Sequence, residues 1–224
     1  MLLPVLITAV IGYLLGALPF GYLVARAHGV NIFEVGSRNP GATNVRRVLG
    51  ARAGNLVFVL DALKGAVASA WALLAHSDGS MSYDLEEWGL TASGQIVGGN
   101  WISLGVAGLA GSLIGHSFSC FTRFKGGKGV ATAAGGFLVV APAVVLAGAA
   151  AWAATFFSTR YVSLASMLAG VVLPVAAWLT GQPPVVLALS LVVALFVIIR
   201  HRANISRLLA GTEPKTGGAG KAQP

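Results

Sequence analysis

The stretch from Gly129 to Ser158, GVATAAGGFLVVAPAVVLAGAAAWAATFFS, runs for 30 residues without a charge and carries Pro142 near its middle. Proline lacks the N–H that would bond one turn back, and its ring crowds that carbonyl, so the run is either one bent helix or two short ones. Two short helices would each cover about 21 Å. The basic residues of short loops decide between the readings, because they gather on the cytoplasmic side of a membrane protein. Arg26, Arg38, Arg46, Arg47 and Arg52 follow the first apolar window, and Arg123, Lys125 and Lys128 precede the quoted stretch. Arg160 follows it, and Arg200, Arg202, Arg207, Lys215 and Lys221 close the chain. One crossing puts Arg160 and the basic tail outside. Two crossings keep every basic cluster inside.

The sequence therefore predicts an all-α integral membrane protein of about seven transmembrane helices, with the N-terminus outside and the C-terminus cytoplasmic. The spans fall at roughly 2–25, 53–76, 100–119, 129–141, 142–158, 162–180 and 184–200. The two short ones require tilted neighbours or a locally thin bilayer. The connection from Ser77 to Gly99 holds Asp78, Asp84, Glu86 and Glu87 without Lys or Arg, which places it on the outer face. Residues 1–211 read as one polytopic domain, and 212–224, rich in Gly, Lys and Pro, as a disordered cytoplasmic tail.

Composition agrees with this class: 56% of the 224 residues are hydrophobic, 10% are charged, and mean hydropathy is +0.80. The first window has no basic residue ahead of it and is long enough to span, so it reads as a retained helix and not as a cleaved leader. The net charge of +8 is scattered through short loops, a pattern that argues against a nucleic-acid surface. Cys120 is the one cysteine, so no internal disulfide forms, and no Cys/His spacing fits a metal site. Neither metal nor cofactor is indicated.

The scarce polar residues are concentrated in a few runs. Gly36-Ser37-Arg38-Asn39-Pro40-Gly41-Ala42-Thr43-Asn44-Val45-Arg46-Arg47 has the make-up of an anion site. Gly36 and Gly41 free the backbone to turn its N–H groups toward a ligand. Ser37, Thr43 and Asn44 add short hydrogen-bonding groups, and Arg46 and Arg47 add forked cationic donors. Taken alone, the two arginines equally suit a role in setting orientation. In the second run, Gly115-His116 leads through Phe124-Lys125 to Gly126-Gly127-Lys128-Gly129 at the start of the fourth span. Glycines around a lysine at a helix N-terminus read as a phosphate cradle. It is not a nucleotide-binding Walker loop, because Thr122 and Gly129 stand where that motif needs Gly and Ser or Thr.

The third run, His201-Arg202-Ala203-Asn204 through Gly211-Thr212-Glu213, leaves the last span with His201 and Asn204 on one helical face. On residue type alone, a terminal His beside arginines is more often interfacial than catalytic. The shorter run Thr159 to Ser166 joins two spans on the same side, and its Arg160-Tyr161 pair also suits an interface anchor. Inside the second span, Asp61 and Lys64 stand at i, i+3 spacing and can neutralise each other. A functional role and a structural ion pair are both open there.

Together, Gly36-Ser37 with Asn39 to Asn44, Gly115-His116 with Phe124 to Thr132, and His201-Arg202 with Asn204-Ile205 and Gly211 to Glu213 resemble the bacterial acyl-phosphate:glycerol-3-phosphate acyltransferase family. The resemblance covers nearly the whole chain, and Asp61 to Gly65 and Thr159 to Ser166 also resemble family patterns. Arg38 departs from a usual Gly, which bears on the backbone path of the loop. Ser119 departs from a common Pro, which bears on a helix end.

The resemblance implies a seven-helix enzyme of the bacterial inner membrane with its active site on the cytoplasmic side. It would transfer a fatty acyl group from acyl phosphate to the 1-hydroxyl of glycerol 3-phosphate, giving lysophosphatidate and phosphate in the first step of phospholipid synthesis. It further implies Ser37, Arg47, His201 and Asn204 as catalytic residues. Gly41, Thr43, Asn44, Lys125, Gly126, Gly127, Lys128, Gly129 and Ser163 would contact substrate, and Glu213 would be structural along with Asp61 and Lys64. The partners it implies are the two substrates, the bilayer and the soluble enzyme that makes acyl phosphate. Cationic loops and half-length helices also suit a carrier for an organic phosphate, although a carrier should show its polar runs near the midplane and not at one face.

Overall fold

The computed structural model describes residues 2–73 and 97–216, with side chains from 101 onward in the second segment. The acidic connection placed outside the membrane, apart from residues 97–99, and the end of the tail from 217 lie outside the described residues. The described chain is helical, with connections that range from single residues to the segment 28–41. Its helices are α1 (Leu2–Ala17), α2 (Phe20–Ala27), α3 (Ala42–Leu49), α4 (Ala51–Ala68), α5 (Val97–Ser117), α6 (Val130–Val140), α7 (Pro142–Thr159), α8 (Val162–Leu179), α9 (Pro184–Arg200) and α10 (Arg202–Leu209).

Proline sets two of the breaks. Pro142 opens α7 at its first turn, where a missing N–H costs nothing, so the stretch from 129 to 158 divides into two helices as its sequence predicts. The window expected as one helix over 2–25 is instead broken at Leu18-Pro19, because a proline disfavours helical geometry in the residue before it. A second difference concerns the polar run from Gly36. Its latter half is not loop but helix α3, which carries Arg46 and Arg47 in its last turn.

By length and composition, four of the described helical segments can cross a membrane: Leu2–Ala27, Trp101–Thr122, Pro142–Thr159 and Val162–Leu179. A fifth candidate is the pair Pro184–Arg200 and Arg202–Leu209, bent by 57°. Helix α4 carries Arg52, Asp61 and Lys64, and α6 is only 11 residues long, about 16 Å. Large apolar side chains such as Leu6, Val59, Leu146, Trp178 and Leu195 face outward, as lipid-facing helices require.

Small residues let these helices touch backbone to backbone. A Cβ added to Gly16 of α1 would lie 2.1 Å from the Ser112 carbonyl oxygen of α5, and one on Gly65 of α4 would lie 2.0 Å from that of Thr132 on α6. Such contact substitutes for hydrophobic driving force between helices in lipid. Leu109, Phe137, Val144, Val186 and Val193 form the main buried core, and Ile32, Val45 and Val57 form a second one beneath α3. Bonds among His116, Gly127, Lys128, Arg200 and Asn204 bring the ends of α5 and α9 together with the starts of α6 and α10.

Candidate active site

The first polar run is organised from within by Asn44. Its Oδ1 accepts the Ser37 N–H at 2.8 Å and its Nδ2 donates to the Val35 carbonyl at 3.1 Å, while the side chain is buried. Asn44, expected to contact substrate, has both ends of its amide bonded within the loop. Gly41 is similar, because its N–H donates to Asn39 Oδ1 at 2.9 Å and is not turned outward. With the backbone held, the Ser37, Thr43, Arg46 and Arg47 side chains stand exposed. Arg38, the departure from glycine, has φ +56°. The left-handed geometry that favours glycine is therefore kept in spite of the arginine, at a cost of about 1–2 kcal/mol for such backbone.

The second and third runs meet. Lys128 Nζ donates to Asn204 Oδ1, Asn204 Nδ2 donates to Glu213 Oε1 at 2.6 Å, Ser163 Oγ donates to the same oxygen at 2.6 Å, and Arg207 Nε donates to Glu213 Oε2 at 2.7 Å. Glu213 thus joins α8 to α10 through one carboxylate, and the lysine loop reaches it through Asn204. Burial raises its proton affinity, but the hydrogen bonds from Ser163, Asn204 and Arg207 outweigh this and hold the carboxyl below the usual range.

Burial lowers the Lys128 ammonium to about 8; Glu213 opposes the shift, and Arg207, Arg200 and Arg47 add to it. Arg47 of the first run is thus among the charges that act on Lys128. His201 is 3% exposed, and its Nδ1 lies 2.7 Å from the Val197 carbonyl oxygen, which fixes Nδ1 as the protonated nitrogen. Burial first, and the Lys128 charge next, push it down to about 4 against the pull of Val197 and Glu213. At neutral pH His201 is therefore uncharged, with Nε2 as an acceptor.

Of the two lysines, Lys128 enters this network and Lys125 remains exposed. Gly127, expected to contact substrate, is held by His116. Its N–H donates to the His116 carbonyl at 3.1 Å, and a Cβ placed there would lie 2.1 Å from His116 Nε2. Arg200, read from sequence as one of several orienting charges, donates to the carbonyls of Gly126 at 3.2 Å and Gly127 at 2.8 Å and sits over the Phe118 ring. Gly129 has φ +80° at the start of α6, where the first N–H groups of the helix have no intrahelical partner.

An apolar cavity of about 220 Å³ adjoins the cluster, with Val130, Phe137, Trp152, Leu173 and Val197 among its walls. Val130 lies two residues beyond Lys128, and Val197 supplies the carbonyl that holds His201. Nothing in the residue pattern marks Arg200 or Arg207 as site residues, since an arginine just beyond an apolar span carries the same signature whether or not it has a partner. Among the described residues, no group of His, Cys, Asp and Glu could hold a metal.

Residues 6–211 match the model of the family described as glycerol-3-phosphate acyltransferase. The glycerol-3-phosphate acyltransferase of Fusobacterium nucleatum is 41% identical over 92% of this chain and 95% of its own length. That of Aquifex aeolicus is 40% identical over 93% of this chain and 97% of its own. Two crystal structures of PlsY (YgiH), an integral membrane glycerol 3-phosphate acyltransferase, share 38% identity and the fold. The glycerol 3-phosphate form has a TM-score of 0.79, covering 95% of this chain and 96% of that one. The lysophosphatidic acid form has a TM-score of 0.75, with 95% of each chain covered. With its fold and its polar runs matched along nearly its full length, the chain belongs to the glycerol-3-phosphate acyltransferase family of multi-pass integral membrane proteins.

Proposed function

We propose acyl phosphate as the donor and the 1-hydroxyl of glycerol 3-phosphate as the acceptor for this glycerol-3-phosphate acyltransferase, which produces lysophosphatidate. The observation that carries this reading is that the apolar cavity lies beside the Lys128-Asn204-Glu213 network and His201, since of its walls Val130 stands two residues beyond Lys128 and Val197 holds His201 through its carbonyl. A phosphate head bearing a long acyl tail fits such a border. The family likeness supports the acceptor, because one of the solved relatives is the glycerol 3-phosphate form.

In this reading Lys128 holds the acceptor's phosphate as an anchored cation, and Asn204 orients the ammonium. Arg47 and Ser37, exposed on the first run, approach the donor's phosphate, and the acyl chain lies between Phe137, Trp152 and Leu173. The 1-hydroxyl oxygen attacks the acyl carbon, a new ester C–O bond forms, and the C–O bond to phosphate breaks. His201 Nε2 accepts a hydrogen bond from that hydroxyl and aims it. A nitrogen with a pKa of about 4 does not retain the proton at neutral pH, so the net proton goes to the departing phosphate. Because phosphate leaves readily, positioning and charge stabilisation supply most of the acceleration.

The charge pattern supports seven crossings, an outer N-terminus and an active site at the cytoplasmic face of the bacterial inner membrane. In a Cys120→Ser background, an impermeant thiol reagent in intact cells should label Ser80→Cys and not Thr216→Cys; the reverse pattern would overturn this topology.

The donor is tested with purified protein and labelled glycerol 3-phosphate. Acyl phosphate should give lysophosphatidate and inorganic phosphate in equal amounts, with no product from acyl-CoA or acyl carrier protein. Turnover with a thioester at a comparable rate would refute the donor assignment. Uptake of glycerol 3-phosphate into vesicles without acylation would refute the enzyme reading itself.

A further inference from the structure

Asp61, Lys64 and His116 are all buried, and none takes part in the proposed chemistry. Lys64 Nζ lies 2.8 Å from Asp61 Oδ1 and donates to the Leu18 carbonyl at 3.0 Å, at the break between α1 and α2. His116 Nδ1 lies 3.5 Å from the same Asp61 oxygen. The three side chains line a cavity of about 20 Å³ whose other walls include Gly21, Pro40 and Gly127.

Each wall leads to a polar run. A Cβ on Gly21 would lie 1.6 Å from the Pro40 carbonyl oxygen, so α2 bears directly on the backbone of the first run. On the other side, His116 receives the Gly127 N–H on its carbonyl at 3.1 Å and fills the space beside the Gly127 Cα with its ring. Lys128 follows immediately in the chain. Asp61 is therefore linked through Lys64 to the α1–α2 break and through His116 to the Lys128 loop.

We infer that Asp61, Lys64 and His116 form a positioning device that fixes the spacing between the first polar run and the Lys128 loop, and so sets affinity for glycerol 3-phosphate. The observations that carry it are the Lys64 bond at the α1–α2 break and the His116 contact with Gly127, joined by one carboxylate. Glycerol 3-phosphate has polar contacts alone to hold it. The acyl donor also has its chain in the apolar cavity, so its binding depends less on the spacing of the loops. The inference rests on the two-substrate reading above, which wild-type turnover tests separately.

Two experiments test it. Removing one partner of a buried ion pair leaves an uncompensated charge, so the neutral double variant Asp61→Asn/Lys64→Gln is used. Its apparent KM for glycerol 3-phosphate should rise at least about tenfold while that for acyl phosphate changes less than about threefold. Reduced kcat with both KM values unchanged, as a smaller folded fraction would give, overturns the inference, and so does an equal rise in both.

The second experiment is a cycle of Gly127→Ala and His116→Ala, which leaves the ion pair in place. Gly127→Ala should raise KM for glycerol 3-phosphate strongly in the native background and much less once His116 is alanine, because the ring is what the new methyl strikes. An equal effect in both backgrounds would mean that the methyl meets the ligand and not His116, and the inference fails.

Discussion

The run from Gly36 to Arg47 and the junction of Lys128, Asn204 and Glu213 are equally rich in polar groups but organised in opposite ways. In the first, one buried amide, Asn44, holds the backbone, and the cationic and hydroxyl side chains stand in the open. In the second, Asn204, Ser163 and Arg207 all bond Glu213, and Lys128 joins them through Asn204, before any substrate arrives. A preorganised charge stabilises a transition state without reorganising, whereas an exposed arginine must lose side-chain freedom when it closes on its ligand. Losses at the junction should therefore exceed losses in the run.

Asn204→Ala should show the largest effect. It leaves Lys128 without its acceptor and Glu213 without one donor, and a fall in kcat/KM of about 10²–10³, or roughly 3–4 kcal/mol, is expected. Expression and thermal midpoint should drop with it, because the stranded Glu213 is buried and Lys128 is half-buried. Arg47→Ala comes next. It leaves no cavity and breaks no buried bond, so near-normal yield should accompany a loss of at least about tenfold, or 1.4 kcal/mol. If Arg47→Ala proved as costly to yield as Asn204→Ala, the contrast between the two regions would be wrong.

Glu213→Gln sharpens the comparison further. The amide keeps the shape of the carboxylate but removes the one charge that raises the Lys128 pKa. Turnover at pH 7 should fall by less than about fivefold, and the alkaline decline in activity should move to lower pH. An unchanged pH profile would show that Glu213 is not electrically coupled to Lys128. The smallest effect is expected of Arg38→Gly, which relieves left-handed backbone at an exposed site. It should stabilise the protein by up to about 1 kcal/mol and change KM less than about twofold.

Much of the frame was legible from sequence because the signals are local. Pro142 divides α6 from α7, and the uncharged windows mark α1, α5, α8 and α9. The break at Pro19 lay inside an apolar window and gave no hydropathy signal, and α3 was obscured by the glycines and proline just ahead of it. At the site, residue types located the three polar runs but not the direction each group faces. Asn44 and Asn204 are both polar and buried, yet one bonds its own loop and the other bonds Lys128, 76 positions away. The link from Asp61 to His116 likewise joins α4 to α5 and has no sequence spacing to reveal it. Lys128 was separated from Lys125 only when the lysine loop was seen to fold against α10.

Whether Lys128 anchors the acceptor as a partly desolvated cation is tested most directly by the pH dependence of kcat/KM for glycerol 3-phosphate in the native protein and in Lys128→Arg. The native profile should fall as pH rises through about 8, where Lys128 loses its proton. In Lys128→Arg, whose guanidinium stays charged throughout, the remaining activity should hold to beyond about pH 10. A native profile that stays flat through this range, or an alkaline fall at the same pH in both proteins, would contradict the assignment.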